Sequence, residues 1–205
     1  MTIGALIGII VLILSVVVHE VAHGFVANKL GDPTARLEGR LTLNPIKHID
    51  PVGSILIPGL LMITNAPFLF GWAKPVPYNP YNLRDPNRDE ALIAVAGPVS
   101  NIILATLGAV LFRVLVMGGE VGLFAEILIP FVIINLVLAL FNLVPIPPLD
   151  GSKILFSILP VSMYHIRQTL ESFGFFIVIA FIVLFGGFIG PAVFSLAELM
   201  LGVAI

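Results

Sequence analysis

Five residues near the start of the chain carry the first chemical signal: His19-Glu20-Val21-Ala22-His23. Residues four apart share one face of a helix, so both imidazoles can reach a single tetrahedral metal ion. Glu20 lies about 60° round the helix from His23, beside the place a metal's water would take rather than on the metal. Two ligands and a base therefore come from one turn. Two packed histidines and a glutamate facing a polar cavity would show the same spacing, but three ionisable side chains in an apolar stretch are expensive unless they act. A catalytic zinc needs a third protein ligand and one open position. Most other acids and histidines stand in charged connections. The exception is Asp150, in Phe141-Asn142-Leu143-Val144-Pro145-Ile146-Pro147-Pro148-Leu149-Asp150-Gly151. The prolines stop the preceding helix and stiffen the backbone, and Asp150-Gly151 then turns the chain. Spacing alone leaves Asp150 as either the third ligand or the cap of a helix beginning near Ser152. His48 and His165 have no partner at metal-binding spacing and read as loop or interface histidines.

The elements that must hold these residues belong in a membrane. Of 205 residues, 59% are apolar or aromatic and 11% are charged, against roughly 45–50% and about 25% in soluble domains. That excludes an ordinary soluble globule. The net charge of −2 and the lack of a basic run argue against a nucleic-acid partner. With no cysteine, disulfides, Cys-ligated zinc and thiol catalysis are excluded. A bilayer-crossing helix needs about 20 residues. Spans are expected at about 2–28, 91–117, 123–144 and 173–188, the second and third joined by a short turn at 118–122. Glycines and prolines interrupt two further apolar stretches. Gly53, Pro58, Gly59 and Pro67 punctuate residues 51–72, which read as a segment that enters the membrane and returns. Gly186, Gly187, Gly190 and Pro191 are expected to break the last stretch, leaving a shorter inserted segment at 190–205. Residues 36–43, within ARLEGRLTLN, alternate Leu37, Leu41 and Leu43 with Arg36, Glu38, Arg40 and Thr42, which predicts a small β-hairpin. Residues 73–90, with four prolines, read as an irregular loop. Nothing divides the chain, so residues 1–205 are expected to form a single membrane-embedded domain: an α-helical polytopic core with a small hairpin and a re-entrant segment.

The His19 to His23 motif, Gly97-Pro98-Val99-Ser100-Asn101 opening a later helix, and the Asn142 to Gly151 segment together resemble the site-2 protease family of intramembrane zinc metalloproteases, peptidase family M50. The resemblance covers essentially the whole chain and its order of elements. GDPTARLEGRLTLNP, HIDPVGSILIP and FGWAKPVPYNPYNLRDP look like the compact bacterial branch without appended soluble domains. It implies His19, His23 and Asp150 as Zn²⁺ ligands and Glu20 as general base. It also implies that Asn142 supports a ligand or the oxyanion, where a helix–helix hydrogen bond is the competing reading. Asn101 matches an element in which Gly97 and Pro98 permit close packing, and it serves either that packing or the site.

The implied reaction is hydrolysis of a peptide bond in or near a transmembrane helix of a membrane protein, single-span substrates included. At about 1.5 Å per residue, counting back from Lys29, the metal should lie roughly 9–15 Å below the aqueous boundary. Trp72, Tyr78 and Tyr81 stand at interface depth, where they could control access. Such a substrate must unwind before it is cut. The edge of the 36–43 hairpin could receive it as an added strand or could be inert. If residues 51–72 re-enter, both basic loops, Lys153 and Arg167 share one face. The positive-inside rule then makes that face cytoplasmic, with the zinc site opening toward it in a cell membrane. A metal-binding or ion-translocating protein, or a non-catalytic scaffold, would use the same ligands but give Glu20 no task.

Overall fold

The computed structural model of the chain describes residues 3–64, 71–119, 122–160 and 163–205. In hydrocarbon no water is present to satisfy backbone N–H and C=O groups, so long apolar stretches become helices. In chain order the α-helices are α1 (Ile3–Lys29), α2 (Thr34–Leu37), α3 (Ile57–Ile63), α4 (Pro86–Met117), α5 (Leu123–Asn142), α6 (Asp150–Ile158) and α7 (Tyr164–Leu201). Of these, α1, α4, α5 and α7 are long and apolar enough to cross a membrane. Helix α4 begins before its apolar residues do. Asp85 caps it by accepting the Arg88 N–H at 3.3 Å, and Pro86, which has no N–H to lose, takes the first turn.

Two sequence expectations are corrected here. The 36–43 hairpin is absent, and no strand occurs among the described residues. Gly39, at φ +63°, ends α2 instead. Its N–H donates to the Arg36 carbonyl (3.0 Å), and the Arg40 N–H donates to the Ala35 carbonyl (2.8 Å), the paired bonds of a glycine-terminated helix. The alternating leucines reflected a helix end followed by a turn. Likewise, the break expected at 186–191 is not there, because α7 runs as one helix of 38 residues through Gly186, Gly187, Gly190 and Pro191. A helical proline clashes with the carbonyl four residues back. Here that residue is Gly187, and breaking the helix in an apolar setting would strand several polar groups rather than one.

Asp50 caps a π-helical turn, Pro51–Leu56, that leads into α3. The chain then comes back to where it left. The Trp72 N–H donates to the Gly53 carbonyl (3.1 Å), the Ser54 hydroxyl to the Trp72 carbonyl (2.8 Å), and the Lys74 N–H to the His48 carbonyl (2.9 Å). Pro67 and Glu120, which fall in the expected re-entrant segment and in the expected turn, lie outside the described residues.

The interior is layered along the helix axes. Ala105, Ala109 and Phe112 of α4 pack with Leu128, Val132 and Leu136 of α5 and Val193, Ala197 and Leu201 of α7. Toward the other end, Ala27 of α1, Ile93 of α4 and Leu83 form a smaller cluster, with Tyr78 against it. Between them lies a buried polar layer: Ser15, His19 and His23 from α1, Asn101 from α4, Asn135 from α5 and Asp150 from α6.

Candidate metal centre

Helix α1 sets Ser15, His19 and His23 at four-residue intervals, on the face turned to α4 and α5. Both histidines are under one-tenth exposed, and their rings meet edge to face at 4.6 Å between centroids. The His23 Nδ1 lies 2.6 Å from the Ile93 carbonyl. A carbonyl can only accept, so Nδ1 carries the proton and Nε2 is left with a lone pair. The His19 Nδ1 lies 2.6 Å from Asn101 Oδ1, which leaves its Nε2 in the same state.

Both Nε2 atoms point to one carboxylate oxygen. Asp150 Oδ2 is 3.1 Å from that of His19 and 3.2 Å from that of His23, and the three residues offer ligand atoms all within 4.8 Å of one another. Asp150 is the first residue of α6, and Leu149 stands at the cap position before it. The positive end of that helix favours its charge, and Lys153 Nζ stands 3.8 Å from the other oxygen. Two nitrogen lone pairs and a carboxylate aimed at one point repel one another unless a cation lies between them. Two imidazoles and a carboxylate are a donor set suited to catalytic zinc. The residues fit the metal.

Closeness of α4 makes this arrangement possible. A side-chain carbon added at Gly97 would fall 2.5 Å from His19 Nε2 and against His23 Nε2, so the imidazoles lie directly on the α4 backbone. Glu20 accepts the Val76 N–H at 2.8 Å. This fixes the 73–79 segment over the motif.

Of the residues expected from sequence, His19, His23, Asp150 and Asn101 come together, and Glu20 lies beside them. Asn142, the last residue of α5, donates instead to the Leu138 carbonyl of its own helix (2.9 Å). His48 is buried in its loop, its Nε2 at 2.9 Å from the Thr42 carbonyl, and His165 is exposed. Tyr78 lies near Lys153, whose ammonium is 5.3 Å from the ring centroid, while Tyr81 is almost fully exposed. Sequence reasoning missed Asn135 and Ser15, whose buried amide and hydroxyl extend the polar layer beyond Asn101. Asn135 was detectable as a lone amide side chain in a span with no other polar residue near it.

The chain is similar to known proteins over most of its length. The model of Peptidase family M50 matches residues 119–185, which hold Asp150 but not the His19 to His23 turn. YwhC of Bacillus subtilis, named for the zinc metalloproteases, is 44% identical over 188 residues, covering 86% of this chain and 78% of that protein. Rip2 of Mycolicibacterium smegmatis, named likewise, is 27% identical over 83% of this chain and 64% of its own length. Rip2 of Mycobacterium tuberculosis is 31% identical over 68% of this chain and 52% of its own length. No solved structure matches the chain significantly.

Proposed function

The chain belongs to peptidase family M50 and is a multi-pass intramembrane zinc metalloprotease, and from that premise we propose that His19, His23 and Asp150 hold its zinc and that Glu20 is its general base. The single observation that carries this reading is the convergence of three buried acceptor atoms from α1 and α6, with both Nδ1 protons committed elsewhere. When bound, zinc supplies Lewis acidity and a water of lowered pKa. The remaining steps fall to the chain's own residues. Glu20 takes a proton from the attacking water as the new C–O bond forms, then delivers it to the leaving nitrogen as the C–N bond breaks. The Val76 N–H holds one Glu20 oxygen, so the carboxylate meets the water from a set direction. Asn101 and the Ile93 carbonyl hold the far edges of the imidazoles, which orients the rings and raises their basicity as ligands.

The substrate class is a membrane-protein helix, including those of single-span proteins. His19 lies ten residues inside the Lys29 end of α1, within hydrocarbon reach of such a helix. The same geometry supports an orientation. Trp72 bonded to Gly53 fits a segment that enters the membrane and returns, since one crossing would separate its ends by about 30 Å. Of the ten Lys and Arg, all but Arg113 then gather at the end of the bundle where α1 finishes and α4 begins. Arg113 is occupied at the other end by the Leu199 and Met200 carbonyls that close α7. By the positive-inside rule the zinc site opens to the cytoplasm of a cell membrane, with both chain ends outside.

The test is made on detergent-purified protein, measuring zinc content and cleavage of a panel of single-span substrates. Glu20→Gln should keep its zinc and lose at least about 10²-fold in turnover. His19→Ala, His23→Ala and Asp150→Ala should lose zinc. Full activity in Glu20→Gln, or full occupancy in Asp150→Ala, overturns the assignment. The chain has no native cysteine, so orientation is read from Tyr81→Cys and Met117→Cys in intact cells. An impermeant thiol reagent should label only the second, and the opposite pattern reverses the orientation.

A further inference from the structure

Asn135 is fully buried in α5, its hydrogen bonds go to Asn101, Ser15 and Phe131 rather than to an imidazole, and both ends of its amide are engaged. Its Nδ2 donates to the Phe131 carbonyl (2.9 Å) and to the Ser15 hydroxyl (2.9 Å). Its Oδ1 accepts from Asn101 Nδ2 at 2.8 Å. Each link in this chain has a forced direction. The Phe131 carbonyl only accepts, so Asn135 must present Nδ2 to it and Oδ1 to Asn101. Asn101 must therefore turn Nδ2 toward Asn135, which leaves its Oδ1 for His19. His19 must then carry its proton on Nδ1 and keep the Nε2 lone pair for the site.

We infer that Asn135 is a positioning residue for zinc, setting the tautomer of His19 through the orientation of the Asn101 amide. The inference rests on the reading of His19 as a ligand. Asn101 has one other anchor, the Ser15 carbonyl, at 3.4 Å, which is long for a hydrogen bond. Without Asn135 the Asn101 amide can rotate by half a turn and offer Nδ2 to His19. The imidazole would then hold its proton on Nε2 and point an N–H, not a lone pair, at the metal. Ser15, Asn101 and Asn135 are at most 1% exposed, and a buried polar network with one link broken is costly.

The experiment compares Asn135→Leu in the native chain and in an Asn101→Asp background, using full-length protein. Zinc dissociation constants come from chelator competition, and unfolding of the metal-free protein serves as a control. Loss of an outer partner of a ligand typically weakens metal binding about 10–100-fold, and that loss is expected in the native background. In the Asn101→Asp background it should shrink to about 3-fold or less, because a carboxylate offers His19 an acceptor whichever way it turns. Equal losses in both backgrounds would mean a packing role and overturn the inference, as would unchanged affinity in native Asn135→Leu. Should Asn135→Leu not fold, Ser15→Ala removes one of the two Asn135 anchors. It should weaken zinc by about 3-fold or more, and unchanged affinity there also overturns the inference. A native chain that binds no zinc, or a His19→Ala variant that binds it fully, defeats the ligand assignment itself and is recognised before Asn135 is varied.

Discussion

Helices α4 and α5 touch in two ways within a few turns of each other. In the apolar layer, Ala105 and Ala109 sit four residues apart on α4 and let Val132 and Leu136 of α5 approach closely. A turn nearer the site, Asn101 meets Asn135 through one hydrogen bond of set direction. The first contact is held by shape. Lipid tails are as apolar as the side chains, so only close packing favours it, and small residues on the interface serve that end. The second is held by donor and acceptor order, which no neighbouring apolar group can replace. The protein thus uses tolerant contacts to assemble the bundle and intolerant ones to aim the imidazoles. Stability and activity should therefore respond to different residues.

A pair of matched glycine substitutions gives the largest separation. Gly97→Ala places a carbon 2.5 Å from His19 Nε2, so zinc affinity should fall by about 10²-fold or more, beyond the overpacking cost of about 1–3 kcal/mol that the metal-free protein also bears. Gly108→Ala places one 2.7 Å from a Phe131 ring atom. It should cost about 1–3 kcal/mol of stability through overpacking and leave zinc binding unchanged. Chelator competition and thermal unfolding, measured on both, decide the matter. Similar profiles would dissolve the distinction between the layers.

A smaller effect is expected at Val76→Pro, which deletes the N–H held by Glu20 in a segment already flanked by Pro75 and Pro77. Turnover should drop about 3–10-fold with KM and zinc content unchanged. A rise in KM with unchanged turnover would assign the segment to substrate binding instead. The smallest effect concerns Asp32, outside the spanning helices. Burial works to raise its carboxyl, but bonds from Thr34, Asn82 and Asn79 outweigh this and hold it below its ordinary value of 3.8. A lowered native value means the charged form favours the docked loop. That contribution is complete above the ordinary value and is lost as pH falls through the native one. Protection of the Asn79 amide, its exchange rate relative to the intrinsic rate at the same pH, should therefore fall under acid, and Asp32→Asn should remove that pH dependence.

The centre was legible in the sequence wherever its geometry is local. His19, Glu20 and His23 are set by the pitch of a single helix, so spacing predicts their common face. Asp150 needed the family resemblance, because its distance from the histidines depends on how α6 packs against α4. Asn135 belongs to the same class of long-range facts, 120 residues from its Ser15 partner. The two misread elements failed for opposite reasons. At 36–43 a helix end with a glycine cap spaced its leucines as a strand would. At 186–191 breaker rules drawn from water were applied where an interrupted helix costs more than a strained one.

The return of Trp72 to Gly53 also bears on how the chain can vary in length. Because that excursion begins and ends at one hydrogen-bonded neck, residues added to it or removed from it shift neither the register of α1 against α4 nor the path to Asp150. Insertions are tolerated best where the chain's two ends already meet. The neck makes this stretch an exchangeable cassette, in which a protease of fixed chemistry can acquire a new outline.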